Sequence, residues 1–330
     1  MKPPRSRQEV ELKAERGYSL HRGERAAPVK AKPAALSVRM SVNEAFRAVL
    51  WASLGHLQAN ERGALEGEDP EYLHQMRVAL RRLRSAFGVF SPPLARPVTA
   101  AAAGELKWLA GALAPARDWD VFMTETLPAV GRNFAGNTGL AMLAERCERL
   151  RRSAARRARS AVASTRYQRL VLSAAGWLAA EKWLAQMHGK DREALAEPVR
   201  RFASPVLARR YRRVRKRGRD LAQLSAAELH RLRIAVKKLR YATDFFEGLF
   251  ESRKAREMHR QLARLQDILG AMNDAATAAS LAARGARGMA RKRVPEARTM
   301  VLGWSRRRAA TLKRELEGAW KAFRTAERFW

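Results

Sequence analysis

The sequence contains a single cysteine, Cys147, and six histidines that show no ligand-like pairing. One cysteine excludes a disulfide framework and a cysteine-based zinc site, and two isolated histidines do not complete a coordination shell, so no metal is expected. A lone thiol fits a reducing, cytoplasmic compartment. Long apolar runs are also missing. The longest candidate, 170–180, ends at Glu181-Lys182, well short of the roughly 20 residues that cross a bilayer, so no membrane partner is expected. The basic N-terminal stretch has no apolar segment of the kind a secretory signal carries. There is no Gly-rich phosphate loop, no paired carboxylate set to hold magnesium, and no Ser-His-Asp or Cys-His arrangement. No catalytic residue and no cofactor are therefore expected, and the chain reads as non-enzymatic. Aromatic residues make up only 7%, which gives little support to single-strand base stacking.

Acidic residues are scarce as well. Thirty-two Asp+Glu face 66 Lys+Arg, a formal charge of +34 over 330 residues, and 52 of the cations are arginine. Ordinary soluble domains carry a net charge of about 2–8. Such an excess costs stability through self-repulsion, and its natural complement is a polyanion. Arginine also offers a planar, bidentate fork for phosphate. With 47% hydrophobic residues, the chain can bury a real core and is not a disordered basic tail.

Residues 1–41 are charged, carry four prolines and lack sustained periodicity. They read as an extended or flexible lead-in. From Val42 to Trp330 apolar residues recur at three and four, and alternating strand patterns are nearly absent, so the fold class is all-α. Breakers at 67–70, 91–93 with Pro97, 136–139, 188–189, Pro198, Pro205, Gly218, Gly248 and 285–295 divide the helices.

An internal repeat organises this region. Residues 73–90, LHQMRVALRRLRSAFGVF, align without a gap to 229–246, LHRLRIAVKKLRYATDFF, at an offset of 156, with eight of 18 columns identical. The same offset aligns Leu106 with Leu262, Leu109 with Leu265, Leu113 with Leu269 and Asp118 with Asp274. Two similar helical halves are implied, about 42–195 and 198–330, packed on each other because one alone offers a small core.

On a helix, Leu73, Met76, Leu80, Leu83, Phe87 and Phe90 share one apolar face, with His74, Arg77, Arg81 and Arg84 in a stripe beside it. The stripe is about 15 Å long. Its second copy is His230, Arg233, Lys237 and Arg240. Like charges at these spacings repel by a few tenths of a kcal/mol per pair, and no carboxylate within 73–90 offsets them. A linear polyanion along the stripe would. The competing reading is a solvated basic face, weakened by the matched columns of the two copies. Asp69 with Pro70, and Ser225 with Glu228, are the expected helix starts. Arg82 points away from the stripe but, with Lys238, Arg146, Arg149, Arg157, Arg306, Arg308 and Lys313, is a possible additional contact. Residues 209–219, RRYRRVRKRGR, hold eight cations in eleven positions, a density seen in arginine-rich nucleic-acid segments and in solvated helices. Trp304 and Trp320 are spaced for a core rather than for base stacking. Asp118, Asp120 and Asp274 are read as following their helices, where they would cap them or orient arginines.

The segments LHQMRVALRRLRS and ELHRLRIAVKKLRY resemble the two signature helices of the CHAD family, the conserved-histidine α-helical domain. LAPARDWDV at 113–121 and LQDILGAMND at 265–274, each after its signature helix, extend the resemblance over about residues 42–330. The resemblance implies two four-helix halves related by pseudo-twofold symmetry around a basic groove or pore. It also implies a non-catalytic module that binds inorganic polyphosphate and associates with polyphosphate granules. His74, Arg77, Arg81, Arg84, His230, Arg233, Lys237 and Arg240 would line that surface. Within the lead-in, EVELK at 9–13 has the ExExK spacing of a CYTH domain strand, while ERGYSL and PVKAKPAALSV resemble that domain's tail. Some 30 residues cannot form an eight-stranded tunnel, so triphosphatase activity is not expected. The alternative function is a nucleic-acid-binding basic helical protein.

Overall fold

The structure is a computed structural model that describes residues 27–67, 69–91, 94, 96–250, 252–287 and 293–330. The EVELK and ERGYSL segments lie outside these residues. Helices are α1 Val42–Ala59, α2 Glu61–Glu66, α3 Glu71–Val89 and α4 Arg96–Val121, which runs through a π-helical turn, Phe122–Thr126, into α5 Leu127–Gly131. They continue as α6 Thr138–Val162, α7 Thr165–Ala179, α8 Gly189–Ala196, α9 Val199–Arg217, α10 Ala226–Phe246, α11 Ser252–Ala286 and α12 Arg293–Thr325. Among the described residues there is no strand, only an isolated antiparallel bridge between Ser41 and Pro198. The fold is all-α.

The 156-residue offset reappears in the helix bounds. Shifted by it, the first residues of α1, α3, α4 and α6 fall within one residue of those of α9, α10, α11 and α12. The packing order repeats too: α1 on α3, α3 on α4 and α4 on α6 are matched by α9 on α10, α10 on α11 and α11 on α12. Between the two sets, α3 packs on α10, and α6 packs on both α11 and α12.

Local sequence explains the helix ends. Ser225 and Glu228 form a full capping box at the start of α10, as Ser41 and Glu44 do for α1, so two orphan amides at each end are satisfied. At α3 the expected start moves by one residue. Pro70 takes the cap position, and the Asp69 carboxylate accepts from the Glu71 amide at 2.8 Å. Two prolines read as breakers are helical. Pro97 falls in the first turn of α4, where a missing N–H costs nothing. Pro205 sits inside α9, where the burial of neighbouring Val206 and Leu207 offsets one lost backbone bond. Asp118 and Asp120 lie inside α4, and Asp274 inside α11, rather than after their helices.

The main core runs through both sets of helices, and a second, smaller core is shared by α4–α6 and α11–α12. The repeat-equivalent Phe90 and Phe246 meet at 5.7 Å between ring centroids, with Phe202 stacked on Phe90. Trp320 is buried beneath Gly218, where any side chain would collide with the indole. Glycine is therefore required for α9 to end against α12. Trp304 packs against the second core. Residues 27–40 have no regular secondary structure and are tied down. The Val29 amide donates to Asn60 Oδ1 at 3.0 Å, and Ala34, Leu36 and Met40 pack on the core. No helix among the described residues is long and apolar enough to cross a membrane.

Candidate polyanion-binding site

Burial of the apolar faces of α3 and α10 orients the two stripes. Leu73, Met76, Leu80 and Leu83 are buried on α3; Leu232, Val236 and Leu239 are buried on α10. The cations beside those faces are left at the rim of the α3–α10 contact. Arg81 crosses that contact, and its Nε donates to the Tyr241 hydroxyl at 3.0 Å. Lys237 of the second copy lies in the field of Arg81 and Arg84 of the first, as well as of Arg233. The structure thus brings together parts of two stripes that are 156 residues apart in sequence.

Burial shapes the charge of these groups. It pushes the Lys237 ammonium down to about 8, helped by Arg233, Arg81 and Arg84. Burial likewise lowers His74 to about 4, with Arg117 the next cause, so the ring is neutral at pH 7. His74 therefore acts as a hydrogen-bonding group and not as a fourth cation of the stripe. Arg77 is pushed down by burial and supported by Asp118. Asp118 itself is pushed up by burial, with Arg77 opposing that shift and the repeat-equivalent Asp274 reinforcing it. Among the described residues, Arg81, Arg84, Arg233 and Lys237 have no carboxylate within salt-bridge distance. Four cations gathered without a fixed counter-ion make this rim the candidate site for an anion.

The other expected residues are placed differently. His230 is exposed in the first turn of α10. Arg240 sits beside the buried Asp244, which also faces His259 and Arg82. Arg82 is only 7% exposed, lies 5.3 Å from the Phe245 ring centroid, and donates to the Lys32 carbonyl at 3.4 Å. It holds the lead-in onto α3 and is not part of the stripe. Lys238 turns toward Arg210, Arg213 and Arg217 of α9. Arg149 is exposed, Arg157 bonds Ser153 at 2.7 Å, and Arg146 is half-buried beside Cys147. On α12, Arg306 is exposed, Arg308 pairs with Glu315 at 3.5 Å and Lys313 is half-buried. Among the described residues, no ion pair joins any of these six to a stripe residue.

Sequence reasoning missed Arg117 and Tyr241. Arg117 reaches His74, Arg77 and Asp118 from α4. Its signal was its place beside Asp118, one helical turn before Val121. Tyr241 had none, because Ser85 occupies its column in the first copy. Away from the stripes, a cavity of about 460 Å³ at the N-terminal end of α3 is lined by Arg151, Arg156 and Arg159 with Asp120 and Glu148. Arg151 pairs with both carboxylates there. Among the described residues no group of three or more His, Cys, Asp or Glu is placed to hold a metal ion.

By its fold the chain is an all-α helical domain, and its repeated basic helices bring arginines and a lysine of lowered proton affinity together in a candidate polyanion site. The CHAD domain family matches residues 48–283; the chain belongs to that family. It is similar to the CHAD domain of the plant Ricinus communis, known from a crystal structure, at 31% identity and a TM-score of 0.79, covering 92% of this chain and 99% of that one. PptA from Streptomyces chartreusis shares the fold at 20% identity and a TM-score of 0.67, covering 86% of this chain and all of that one. No curated protein matches the chain.

Proposed function

We propose that the chain is a non-catalytic module that holds inorganic polyphosphate along the converging stripes of α3 and α10. Family membership fits a polyphosphate-associated helical domain. The observation that carries the reading is Lys237 in the field of Arg81 and Arg84, with no carboxylate among the described residues paired to any of the three. A flexible chain of closely spaced charges can meet all of them at once. Arg77, Arg81 and Arg84 supply bidentate forks, Lys237 and Arg233 supply the facing wall, and neutral His74 donates one hydrogen bond. His230 and Arg240 extend the second stripe at its two ends. A pseudo-twofold axis between the halves would make the site a through-going groove. Granule association and a cytoplasmic location belong to the same reading.

Nucleic acid is the second reading, favoured by the eight cations of 209–219. The large aromatic side chains argue against it for single strands. Trp119, Trp183 and Trp320 are buried in the cores and offer no stacking platform. A low-salt competition between polyphosphate and RNA at equal phosphate concentration tests the choice. Polyphosphate is expected to stay bound; displacement by RNA would transfer the function to nucleic acid.

A further inference from the structure

The stripe on α3 runs 77, 81, 84, and its next register at helical spacing is position 88. That position is Gly88, exposed and without a side chain. Arg210 of α9 comes in over it. Its Nη2 donates to the Gly88 carbonyl at 2.5 Å, and its Nη1 donates to the Lys238 carbonyl at 3.3 Å. A Cβ at position 88 would lie 4.0 Å from Nη2. A cation from another helix thus occupies the place where the stripe would continue.

From there the charge runs on along α9. Arg210, Arg213 and Arg217 are spaced three and four apart on one face, about 10 Å in length. The Lys238 side chain faces all three, which lower its affinity for a proton after burial has done the same. Lys238 adjoins Lys237 in sequence, so the two lysines stand on neighbouring faces of α10 and link the stripe to the α9 face. Among the described residues none of Arg209–Arg219 forms an ion pair, although Arg213 and Lys238 are exposed. Eight cations in eleven residues, with no ion pair among the described residues, repel one another steeply unless an anion lies along them.

We infer that a polyphosphate chain longer than the α3–α10 stripes leaves them over Arg210 and continues along Lys238, Arg213 and Arg217, so that α9 makes the protein select long chains over short ones. The inference rests on the polyphosphate reading above and deepens it. Short chains fill only the stripes, about 15 Å, and ignore α9. Longer chains gain the α9 contacts without a second binding entropy cost.

The test compares two defined polyphosphate fractions in a salt series by titration calorimetry. One has a contour length under about 15 Å, the other is several times longer. The variant is Arg213→Gln with Arg217→Gln and Lys238→Gln, which leaves Arg210 and its two backbone contacts in place. A charge-matched control neutralises Lys182, Lys190 and Arg192, all exposed and outside α9. For the α9 variant the salt slope for the long chain should fall by about 2, at roughly 0.7 per lost contact, and its low-salt affinity by about tenfold or more. Short-chain affinity should change only as much as in the control. Equal weakening for both lengths, or long-chain binding that matches the control, would overturn the α9 path while leaving the stripes intact. If the unaltered protein bound neither fraction at low salt, the polyphosphate reading itself would fail, and the inference with it.

Discussion

Replacing Lys237 with methionine should stabilise the protein while weakening its grip on a polyanion. Charging Lys237 in the folded state is opposed by burial and by Arg233, Arg81 and Arg84, which hold the ammonium at about 8, against 10.5 for a free lysine. The unfolded chain binds the proton more tightly than the folded one, so the cost is largest where both states are protonated. At pH 7 it amounts to as much as about 3 kcal/mol. It fades as pH rises from about 8 through 10.5, and at pH 10.5 it is below about 0.5 kcal/mol. Methionine keeps the length and helix propensity of lysine without the charge. Urea unfolding of Lys237→Met followed by circular dichroism should therefore give a gain of about 1–3 kcal/mol at pH 7 that nearly vanishes at pH 10.5. A loss of stability at pH 7, or a gain that does not change with pH, would refute the electrostatic account of this position. Polyphosphate affinity of the parent protein should fall above pH 8, because a bound polyanion favours the protonated lysine. The variant should lack that dependence.

Three further substitutions probe the supports of the site. Tyr241→Phe removes the hydroxyl that accepts from Arg81. One hydrogen bond of about 0.5–1.5 kcal/mol is lost, so polyphosphate affinity measured by calorimetry should drop by up to about tenfold, with the buried ring keeping its place. Asp118→Asn removes a buried anion whose ionisation the fold already disfavours. Stability at pH 7 should not fall, and polyphosphate affinity should rise by roughly threefold or more as one like charge leaves the site. Weaker binding would mean that the carboxylate holds Arg77 in position. Ser225→Ala breaks the capping box of α10 and should cost about 1 kcal/mol in denaturant unfolding, with polyphosphate affinity unchanged.

Much of this architecture was legible before any coordinates. Helical periodicity set the fold class, the 156-residue offset located four matched helices, and Ser225 with Glu228 marked a helix start that the structure reproduces. These signals are local or self-similar, and local spacing is what a sequence displays. What stayed hidden depends on neighbours distant in the chain. Nothing in residues 73–90 says that Arg82 reaches a carbonyl at Lys32, that Tyr241 receives Arg81, or that Arg210 covers Gly88. The protonation of His74 is likewise a product of burial and of Arg117 from another helix. The expectation that Asp118 and Asp274 follow their helices failed because both helices run on beyond these residues, α4 through a π-helical turn into α5 and α11 to Ala286. Arg240 shares its column with Arg84, yet Asp244, which stands where the first copy has Gly88, gives it a different partner.

The most direct measurement of the central claim is a polyphosphate titration of the parent protein and of the charge-reversed Arg77→Glu, Arg81→Glu, Arg84→Glu variant, with the fold of each checked by circular dichroism. The parent should bind at low salt with an affinity that falls steeply as salt rises, and the variant should lose orders of magnitude and at least about 2 in the salt slope. A parent that does not bind at low salt, or a folded variant that binds as the parent does, would contradict the account.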